Sequence, residues 1–386
     1  MPRPGLRRSS RDGFWARASG GPGLWARSDW GLVVAALGLS VVGALLVWSA
    51  TRHQAGTAYL LRHLLTTAVG VGIAAVVTRT GYQRLRALAP LLYLVAVGGL
   101  LLVLTPVGST VNGSHSWILL PGGFSVQPSE LAKAALCLGL AIILGERLDR
   151  GAQPDLRDLA FAAVVAAVPV VLVLLQPDLG SALVLGAVAL GVVAVAGTPK
   201  RWLALSVGLV AAAVTLALTT PVLSGYQRDR LTAFLDPQAD PQGIGYQTRQ
   251  VRIAIGSGGW QGQGLFQGHQ TQGGFIPFQQ TDFVFSVAGE ELGFLGAAGL
   301  LLLLGFVVLR AVLVAARARD AFGRLMAVGV ATWLLFQVFE NVGMNLGLTP
   351  VTGLPLPFLS YGGSSMFACW LGIGLVNNVH LSTREG

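Results

Sequence analysis

The chain is divided into apolar runs, each about as long as a helix that crosses a lipid bilayer. A transmembrane helix needs about 20 predominantly apolar residues. Seven such runs lie near residues 31–49, 58–78, 87–106, 126–145, 158–175, 179–197 and 202–220, and three more lie near 286–314, 324–346 and 361–380. The pattern predicts an all-α integral membrane protein with about ten transmembrane helices and a large loop between the seventh and the eighth.

Composition supports this class of protein. Charged residues make up 11% of the 386 residues and hydrophobic residues 53%, and the mean hydropathy is +0.66. A soluble domain of this composition would expose large apolar patches. The net charge of +9 is scattered between the apolar runs and forms no single basic stripe, so nucleic acid is not the expected partner. Cys137 and Cys369 lie far apart in apolar runs and indicate no metal site.

The apolar runs divide the chain into five segments. These are a basic cytoplasmic tail at 1–30, seven predicted transmembrane helices within 31–220, a large loop at 221–285, three predicted transmembrane helices within 286–380, and a C-terminus at 381–386. The tail with the run 31–49 resembles a signal peptide. However, the run is long enough to span a membrane and has no convincing small-residue cleavage site, so a retained first helix is the better interpretation.

The positions of the basic residues predict the orientation. With a cytoplasmic N-terminus, the short outer loops contain only Arg52 and Arg62. The inner segments contain six arginines of the tail and Arg79, Arg84, Arg86, Arg147, Arg150, Arg157, Lys200, Arg201, Arg310, Arg317, Arg319, Arg324 and Arg384. Because cytoplasmic loops are enriched in Lys and Arg, we expect both termini in the cytoplasm and the loops 112–127, 221–285 and 349–363 outside. An outer site has no access to cytoplasmic ATP, so its substrate must already be activated and bound in the membrane.

The 221–285 loop is the long polar segment of the chain, which is typical of a functional loop. Its glycines match neither of the common nucleotide-binding loop patterns. Four of its arginines suit a diphosphate, because guanidinium groups pair with phosphate bidentately. They are Arg228, Arg230, Arg249 and Arg252. Ordinary solvated loop charge is an equally good interpretation of any one of them.

Ionisable side chains at membrane depth are costly and therefore indicate function. Glu130 and Lys133 share one helical face, where an ion pair that only steadies the helix start is the alternative. Asp282 lies between the polar loop and an apolar run, a position that can raise the pKa of a carboxyl group and suits a general base. Glu340 lies in the outer half of the ninth predicted helix. Trp117 either belongs to the aromatic belt or stacks on a sugar.

Four motifs follow one another along the chain. They are Trp117 with Gln127-Pro128-Ser129-Glu130 and Lys133; Gly245-Tyr246-Gln247 with Ile255-Gly256-Ser257-Gly258-Gly259; Thr281-Asp282-Phe283-Val284-Phe285 with Glu290-Glu291-Leu292-Gly293; and Pro350-Val351-Thr352-Gly353 with Pro355-Leu356-Pro357-Phe358 and Ser360-Tyr361-Gly362-Gly363-Ser364-Ser365. In this order they resemble the SEDS family (shape, elongation, division and sporulation) of peptidoglycan glycosyltransferases, which includes RodA, FtsW and SpoVE. The segments 268–272 and 340–344 are more similar to the RodA form.

The resemblance implies polymerisation of lipid II at the outer face of the bacterial cytoplasmic membrane, for cell elongation and shape. The 4-hydroxyl of the acceptor GlcNAc attacks C1 of the donor MurNAc with inversion, and undecaprenyl diphosphate leaves. Asp282 would be the general base, with Glu130 and Lys133 as further catalytic residues. The implied substrate-binding residues are Trp117, Gln127, Ser129, Arg228, Arg230, Arg249, Arg252, Glu340 and Ser364.

The resemblance also implies partners. These are a class B penicillin-binding protein that crosslinks the product, the elongation or division machinery, and membrane lipids. No SxxK motif with KTG is evident, in agreement with crosslinking by a separate protein. No organic cofactor is expected, whereas a divalent cation, Mg²⁺ or Mn²⁺, is compatible with the reaction. One departure from the family is that Phe278 and Gln280 stand where an acidic residue and a histidine are usual.

Two other functions are alternatives to a glycosyltransferase. A flippase or transporter of the lipid-linked precursor would suit ten helices, but it predicts polar residues at both membrane depths and often an inverted repeat, and neither is evident. A non-catalytic scaffold for the penicillin-binding protein would tolerate substitution of Asp282. Loss of polymer, loss of translocation, or loss of neither in an Asp282 variant distinguishes the three functions.

Overall fold

The computed structural model describes residues 27–111, 113–121, 124–219, 225–236 and 243–384, so most of the predicted tail and the last two residues lie outside the described residues. The first elements are helices α1 (Trp30–Ala55), α2 (Ala58–Arg79) and α3 (Tyr82–Val103), followed by strands β1 (Ser109–Val111), β2 (Ser114–Leu120) and β3 (Phe124–Val126). Then come α4 (Pro128–Asp149), α5 (Leu156–Leu174), α6 (Leu179–Val195), α7 (Lys200–Thr219), α8 (Gly225–Leu235), α9 (Ile244–Ser257), α10 (His269–Gly273), α11 (Val284–Glu291), α12 (Gly293–Arg317), α13 (Ala321–Leu346) and α14 (Gly363–Arg384).

The long helices follow the apolar runs of the sequence. Ten of the described helices have 17 residues or more, and they occur in the order of the ten apolar runs. Six of them, α1, α2, α3, α5, α12 and α13, are long and apolar enough to cross a membrane, and α6 is apolar but shorter. The chain is therefore mainly helical and has the properties of a multi-pass membrane protein.

The core of the bundle forms around α13, which packs against α4, α6, α12 and α14. Glycines allow these helices to approach closely. A Cβ on Gly329 of α13 would collide with Cys137 of α4, and a Cβ on Gly191 of α6 would collide with Thr332 of α13. Small residues at helix contacts are the usual basis of packing between membrane helices.

The segment predicted as one polar loop, 221–285, contains the helices α8, α9 and α10. Helix α9 is amphipathic. Its buried face consists of Gly245, Thr248, Val251 and Ala254, whereas Arg249 and Arg252 are exposed. These helices are short and contain several glycines, so their apolar periodicity is weak in the sequence.

The predicted eighth helix is divided into two, α11 and α12, where a facing loop makes backbone contact. The N–H groups of Gln263 and Gly264 donate to the carbonyl oxygens of Glu290 and Glu291, at 2.9 and 3.0 Å. Gly262 has a φ of +81°, and a Cβ on it would overlap the Glu291 carbonyl. Glycine is required here both by the backbone conformation and by the close approach.

Strands β1, β2 and β3, of which the last two lie in the loop predicted at 112–127, form an antiparallel sheet in the order β1-β2-β3. Its central strand, β2, carries Trp117. The Ser114 hydroxyl and the His115 N–H donate to the carbonyl oxygen of Gln176, at 2.8 and 3.2 Å, which attaches the sheet to the turn between α5 and α6. The sheet therefore has a fixed position above the helices.

Candidate functional site

A cavity of about 1210 Å³ opens between the sheet, helices α8 and α9, and the segments that precede α11 and α14. Five of the predicted site residues lie on its wall: Trp117, Gln127, Arg230, Asp282 and Ser364. They come from distant parts of the chain and meet only because the sheet and the polar segment pack against the same end of the bundle. This cavity is the candidate active site.

Asp282 lies on the cavity wall just before α11. Its backbone N–H donates to the carbonyl oxygen of Phe278 at 3.1 Å, and its carbonyl oxygen accepts from the Asn341 side chain at 2.9 Å. Burial raises the pKa of the Asp282 carboxyl, whereas a hydrogen bond from Thr281 and the positive charge of Arg230 oppose this rise. A carboxylate with these properties is a competent proton acceptor.

Arg230 and Asp282 meet at Gly353, which has a φ of +75°. A Cβ at this glycine would lie 3.4 Å from Nη2 of Arg230 and 3.5 Å from Oδ2 of Asp282. Nη1 of Arg230 donates to the carbonyl oxygen of Thr352 at 2.7 Å, which fixes the guanidinium beside the carboxylate. The wall thus offers a proton acceptor and a fixed positive charge side by side.

Gln127 and Ser364 join the sheet to the start of α14. The Gln127 N–H donates to Oγ of Ser364 at 2.9 Å, and that hydroxyl donates to the carbonyl oxygen of Ser125 at 3.1 Å. Nε2 of Gln127 donates to Oδ2 of Asp178 at 2.9 Å, and Oδ1 of Asp178 caps α6 by accepting from the Ser181 N–H. Asp178 is a second carboxylate on the wall that the sequence analysis missed. Its place between two apolar runs was the available signal.

Glu130 and Lys133 lie behind the cavity wall, inside the bundle, and both are fully buried. Nζ of Lys133 donates to Oε1 of Glu130 at 2.7 Å and to Oε1 of Gln337 at 2.9 Å. Nearby, the hydroxyls of Ser129 and Ser181 are 3.3 Å apart. The structure therefore separates these three predicted site residues, Ser129, Glu130 and Lys133, from the wall that carries Asp282.

The other predicted substrate-binding residues are dispersed. Glu340 is buried on α13 and is not on the wall, and its backbone oxygen accepts from the Thr349 hydroxyl at 3.3 Å. Arg249 and Arg252 are exposed on α9, away from the cavity wall. Arg228 belongs to α8, but its side chain lies outside the described residues.

Phe278 and Gln280, the two positions that depart from the family pattern, both lie near the cavity. Phe278 lines the cavity with a φ of +56°. The carbonyl oxygen of Gln280 accepts from the N–H of Tyr361 at 2.9 Å, and Tyr361 is itself on the wall. Position 280 thus contributes to the shape of the cavity through its backbone, which does not depend on the side chain.

The described residues contain no group of three or more His, Cys, Asp or Glu side chains that could hold a metal ion. Mg²⁺ in phosphate-handling sites is commonly bound by one or two carboxylates together with substrate phosphates. Asp178 and Asp282 are the carboxylates on the described cavity wall, and they are the residues that would hold such an ion together with a substrate phosphate. The divalent cation stays a prediction.

Known proteins are similar to this chain over nearly its whole length. A family model for FtsW, RodA and SpoVE, described as a cell cycle protein, matches residues 29–385. The peptidoglycan glycosyltransferase MrdB of Escherichia coli K12 is 38% identical over 344 residues, which cover 89% of this chain and 91% of MrdB. The probable peptidoglycan glycosyltransferase FtsW of Thioalkalivibrio sulfidiphilus is 40% identical over 371 residues, covering 93% and 91%.

Solved structures are similar over nearly the whole chain. A chain from a peptidoglycan synthase complex, in which polymerization and crosslinking are structurally coordinated, has a TM-score of 0.78 at 37% identity and covers 93% of this chain and 99% of that one. The rod shape determining protein RodA of Thermus thermophilus has a TM-score of 0.69 at 35% identity and covers 93% and 98%.

Proposed function

The chain belongs to the FtsW, RodA and SpoVE family and is a peptidoglycan glycosyltransferase, and on that premise we propose that it polymerises lipid II into glycan strands for cell elongation and shape. The substrate class fits the cavity, whose wall combines polar groups with apolar surface at one end of the helical bundle. The observation that carries the proposal is the proximity of Asp282 and Arg230, whose side chains both lie against Gly353.

In the proposed reaction Asp282 is the general base. It accepts the proton of the acceptor GlcNAc 4-hydroxyl as that oxygen bonds to C1 of the donor MurNAc. The bond between C1 and the phosphate oxygen breaks with inversion, and undecaprenyl diphosphate leaves with the electron pair. Arg230 stabilises the negative charge that develops on the diphosphate. Inversion requires no covalent intermediate, so one carboxylate base suffices.

The remaining residues take supporting roles in this proposal. Trp117, Gln127 and Ser364 line the path of the glycan on the sheet side of the cavity. Glu130 and Lys133 support the wall from behind. A divalent cation, Mg²⁺ or Mn²⁺, would share the neutralisation of the diphosphate with Arg230.

We also propose the membrane arrangement and a partner. The ten long helices cross the cytoplasmic membrane, both termini are cytoplasmic, and the cavity faces outward, because the basic residues collect in the alternate, inner segments. The partner is a class B penicillin-binding protein. The similar chain from a complex that coordinates polymerization and crosslinking supports this partner.

Polymerisation of labelled lipid II by the purified protein tests the function, with the partner present and its own active sites inactivated. We expect long glycan strands from the wild type and a loss of at least about 100-fold from Asp282→Asn, which keeps the shape but not the basicity. Arg249→Ala is the matched control for Arg230→Ala: the first removes an exposed arginine and keeps activity, whereas the second lowers it.

The alternative functions give different results. Equal polymer from wild type and folded Asp282→Asn contradicts the role of Asp282. Absence of polymer from both, with transfer of labelled lipid II across vesicle membranes, identifies a flippase. Absence of both activities identifies a scaffold.

A further inference from the structure

Three amide side chains lie one turn apart on a single face of α13: Gln337, Asn341 and Asn345. All three are completely buried. Residues four apart on a helix share a face, so the three amides form a continuous polar stripe inside an otherwise apolar bundle. A buried polar group is costly unless it is hydrogen bonded. Each of the three amide nitrogens donates to a backbone carbonyl oxygen of a residue on the cavity wall.

The acceptors are backbone carbonyl oxygens of two irregular segments. Nδ2 of Asn341 donates to the carbonyl oxygens of Asp282 and Leu354, at 2.9 and 2.8 Å. Nε2 of Gln337 donates to the carbonyl oxygen of Pro355 at 2.8 Å. Irregular backbone inside a membrane protein needs such donors, because no helix or sheet satisfies its carbonyl groups.

Asn341 therefore connects the backbone of Asp282 to the segment that contains Gly353. The same segment holds Arg230, through the carbonyl oxygen of Thr352. One side chain thus ties together the two stretches of backbone that determine the distance between the carboxylate and the guanidinium. Asn345 reinforces this connection more weakly, since its Nδ2 is 3.3 Å from the Asp282 carbonyl oxygen.

We propose that Asn341 is a positioning residue that sets the geometry of Asp282 and Arg230, and that Gln337 transmits the support of the buried Lys133 and Glu130 to the same wall. Oε1 of Gln337 accepts from Nζ of Lys133 at 2.9 Å and from Nε1 of Trp333 at 2.7 Å, while its amide nitrogen holds Pro355. Gln337 thereby links the buried ion pair to the backbone of the cavity wall.

This inference rests on the proposed function, because it takes Asp282 as the base. The experiment compares Asn341→Leu with Asn378→Leu. Asn378 on α14 is a matched control: it is buried, and its Nδ2 donates to the carbonyl oxygens of Val77 and Thr80, at 2.9 and 2.6 Å, far from the cavity wall. Both substitutions remove hydrogen bonds from a buried amide to backbone carbonyl oxygens, two at Asn341 and three at Asn378, of which the one to Thr78 is long at 3.4 Å. A purely structural effect would therefore be similar in the two variants.

We expect Asn341→Leu to lower kcat per folded molecule by between about 10-fold and 100-fold with little change in KM, since displacement of a catalytic group by about 1 Å has effects of this size.

The acidic limb of the pH profile of Asn341→Leu should move to higher pH. Asp282 must be deprotonated to act, and a more distant Arg230 favours its carboxylate less, which raises its pKa. Asp178 faces the same cavity and is unchanged in these variants. Asn378→Leu should lower the melting temperature and leave kcat and the pH profile unchanged.

Asn341→Ser provides a second variant with a milder effect on folding, because the hydroxyl keeps one donor. It should show an intermediate kcat. Wild-type kcat and pH profile in folded Asn341→Ser and Asn341→Leu overturn the inference, as does an equal loss in Asn378→Leu. Asp282→Asn in the same series separates the two levels: if it is inactive while the Asn341 variants are normal, only the positioning role fails, whereas if it is fully active, the proposed base itself fails.

Discussion

Gly353 is the residue on which the space between Asp282 and Arg230 depends. Its φ of +75° is costly for residues other than glycine, by about 1–2 kcal/mol. An alanine there fits only at van der Waals contact with both charged groups, at 3.4 and 3.5 Å. We expect Gly353→Ala to lower kcat/KM for lipid II by at least about tenfold, because the methyl group enters the space between the proposed base and the proposed diphosphate-binding arginine.

Gly274 offers the matched control for this prediction. It has a similar φ of +66°, its Cβ would approach only the Gln54 side chain at 3.5 Å, and it is not on the cavity wall. Gly274→Ala therefore imposes the same backbone cost without filling the site. Glycan synthesis assays with equal amounts of folded protein compare the two, and similar losses of activity would contradict a steric role for Gly353.

At the residue scale, the sequence identifies the type of side chain but not the side of the cavity wall on which it lies. The transition from polar to apolar residues around Asp282 was sufficient to predict it as a site residue, and Asp282 lies on the cavity wall. The spacing of Glu130 and Lys133 predicted their common helical face, yet it could not reveal that this face is turned toward Gln337. Gln337 itself was missed because an uncharged amide in an apolar helix carries no charge signal, although its four-residue spacing from Asn341 was visible.

At the scale of elements, the loop that contains Gly262, Gln263 and Gly264 contacts the break between α11 and α12 and holds the C-terminal end of α11, the helix that begins just after Asp282. Gly262→Ala places a methyl group against the Glu291 carbonyl and adds left-handed strain. We expect a destabilisation of about 1–3 kcal/mol from the strain, with a further loss of about 1 kcal/mol for each loop hydrogen bond that breaks.

Gly259→Ala is the comparison, since Gly259 also has a positive φ, +54°, but no atom lies within 4 Å of its Cβ. Thermal unfolding of the purified proteins in detergent should give the lower melting temperature for Gly262→Ala. A melting temperature equal to that of Gly259→Ala would show that the close backbone approach contributes nothing to stability.

The elements themselves were predictable to different degrees. A run of about 20 apolar residues crosses a membrane as a helix, because a helix satisfies all of its own backbone hydrogen bonds. The long helices occur where those runs lie. The short helices α8, α9 and α10 and the three-stranded sheet gave weaker patterns, because each depends on contacts with the bundle for its stability. These elements give the predicted loops a regular structure, and residues of the sheet, α8 and α9 line the cavity.

At the scale of the whole molecule, the proposed orientation can be tested with thiol reagents. Cys137 and Cys369 are completely buried and give a low background. We expect Trp260→Cys, at a position that is 70% exposed, to react with a membrane-impermeant maleimide in intact spheroplasts, because this residue lies in the segment assigned to the outer face.

Gln153→Cys is the control on the opposite side. Gln153 is exposed between α4 and α5, in a segment assigned to the cytoplasm. It should react only after the membrane is permeabilised. Labelling of Gln153→Cys in intact spheroplasts, or protection of Trp260→Cys until permeabilisation, would contradict the orientation.

The hydrogen bond between the Gln127 N–H and the Ser364 hydroxyl joins residues 237 positions apart, and it closes one side of the cavity. A membrane protein enters the bilayer from its N-terminus while the ribosome is still at work. The side of the cavity formed by Gln127 and Ser364 is therefore closed only once α14 has been inserted. Under the mechanism proposed above, a chain shortened before α14 would retain Asp282 and Arg230 yet lack the closed cavity around them.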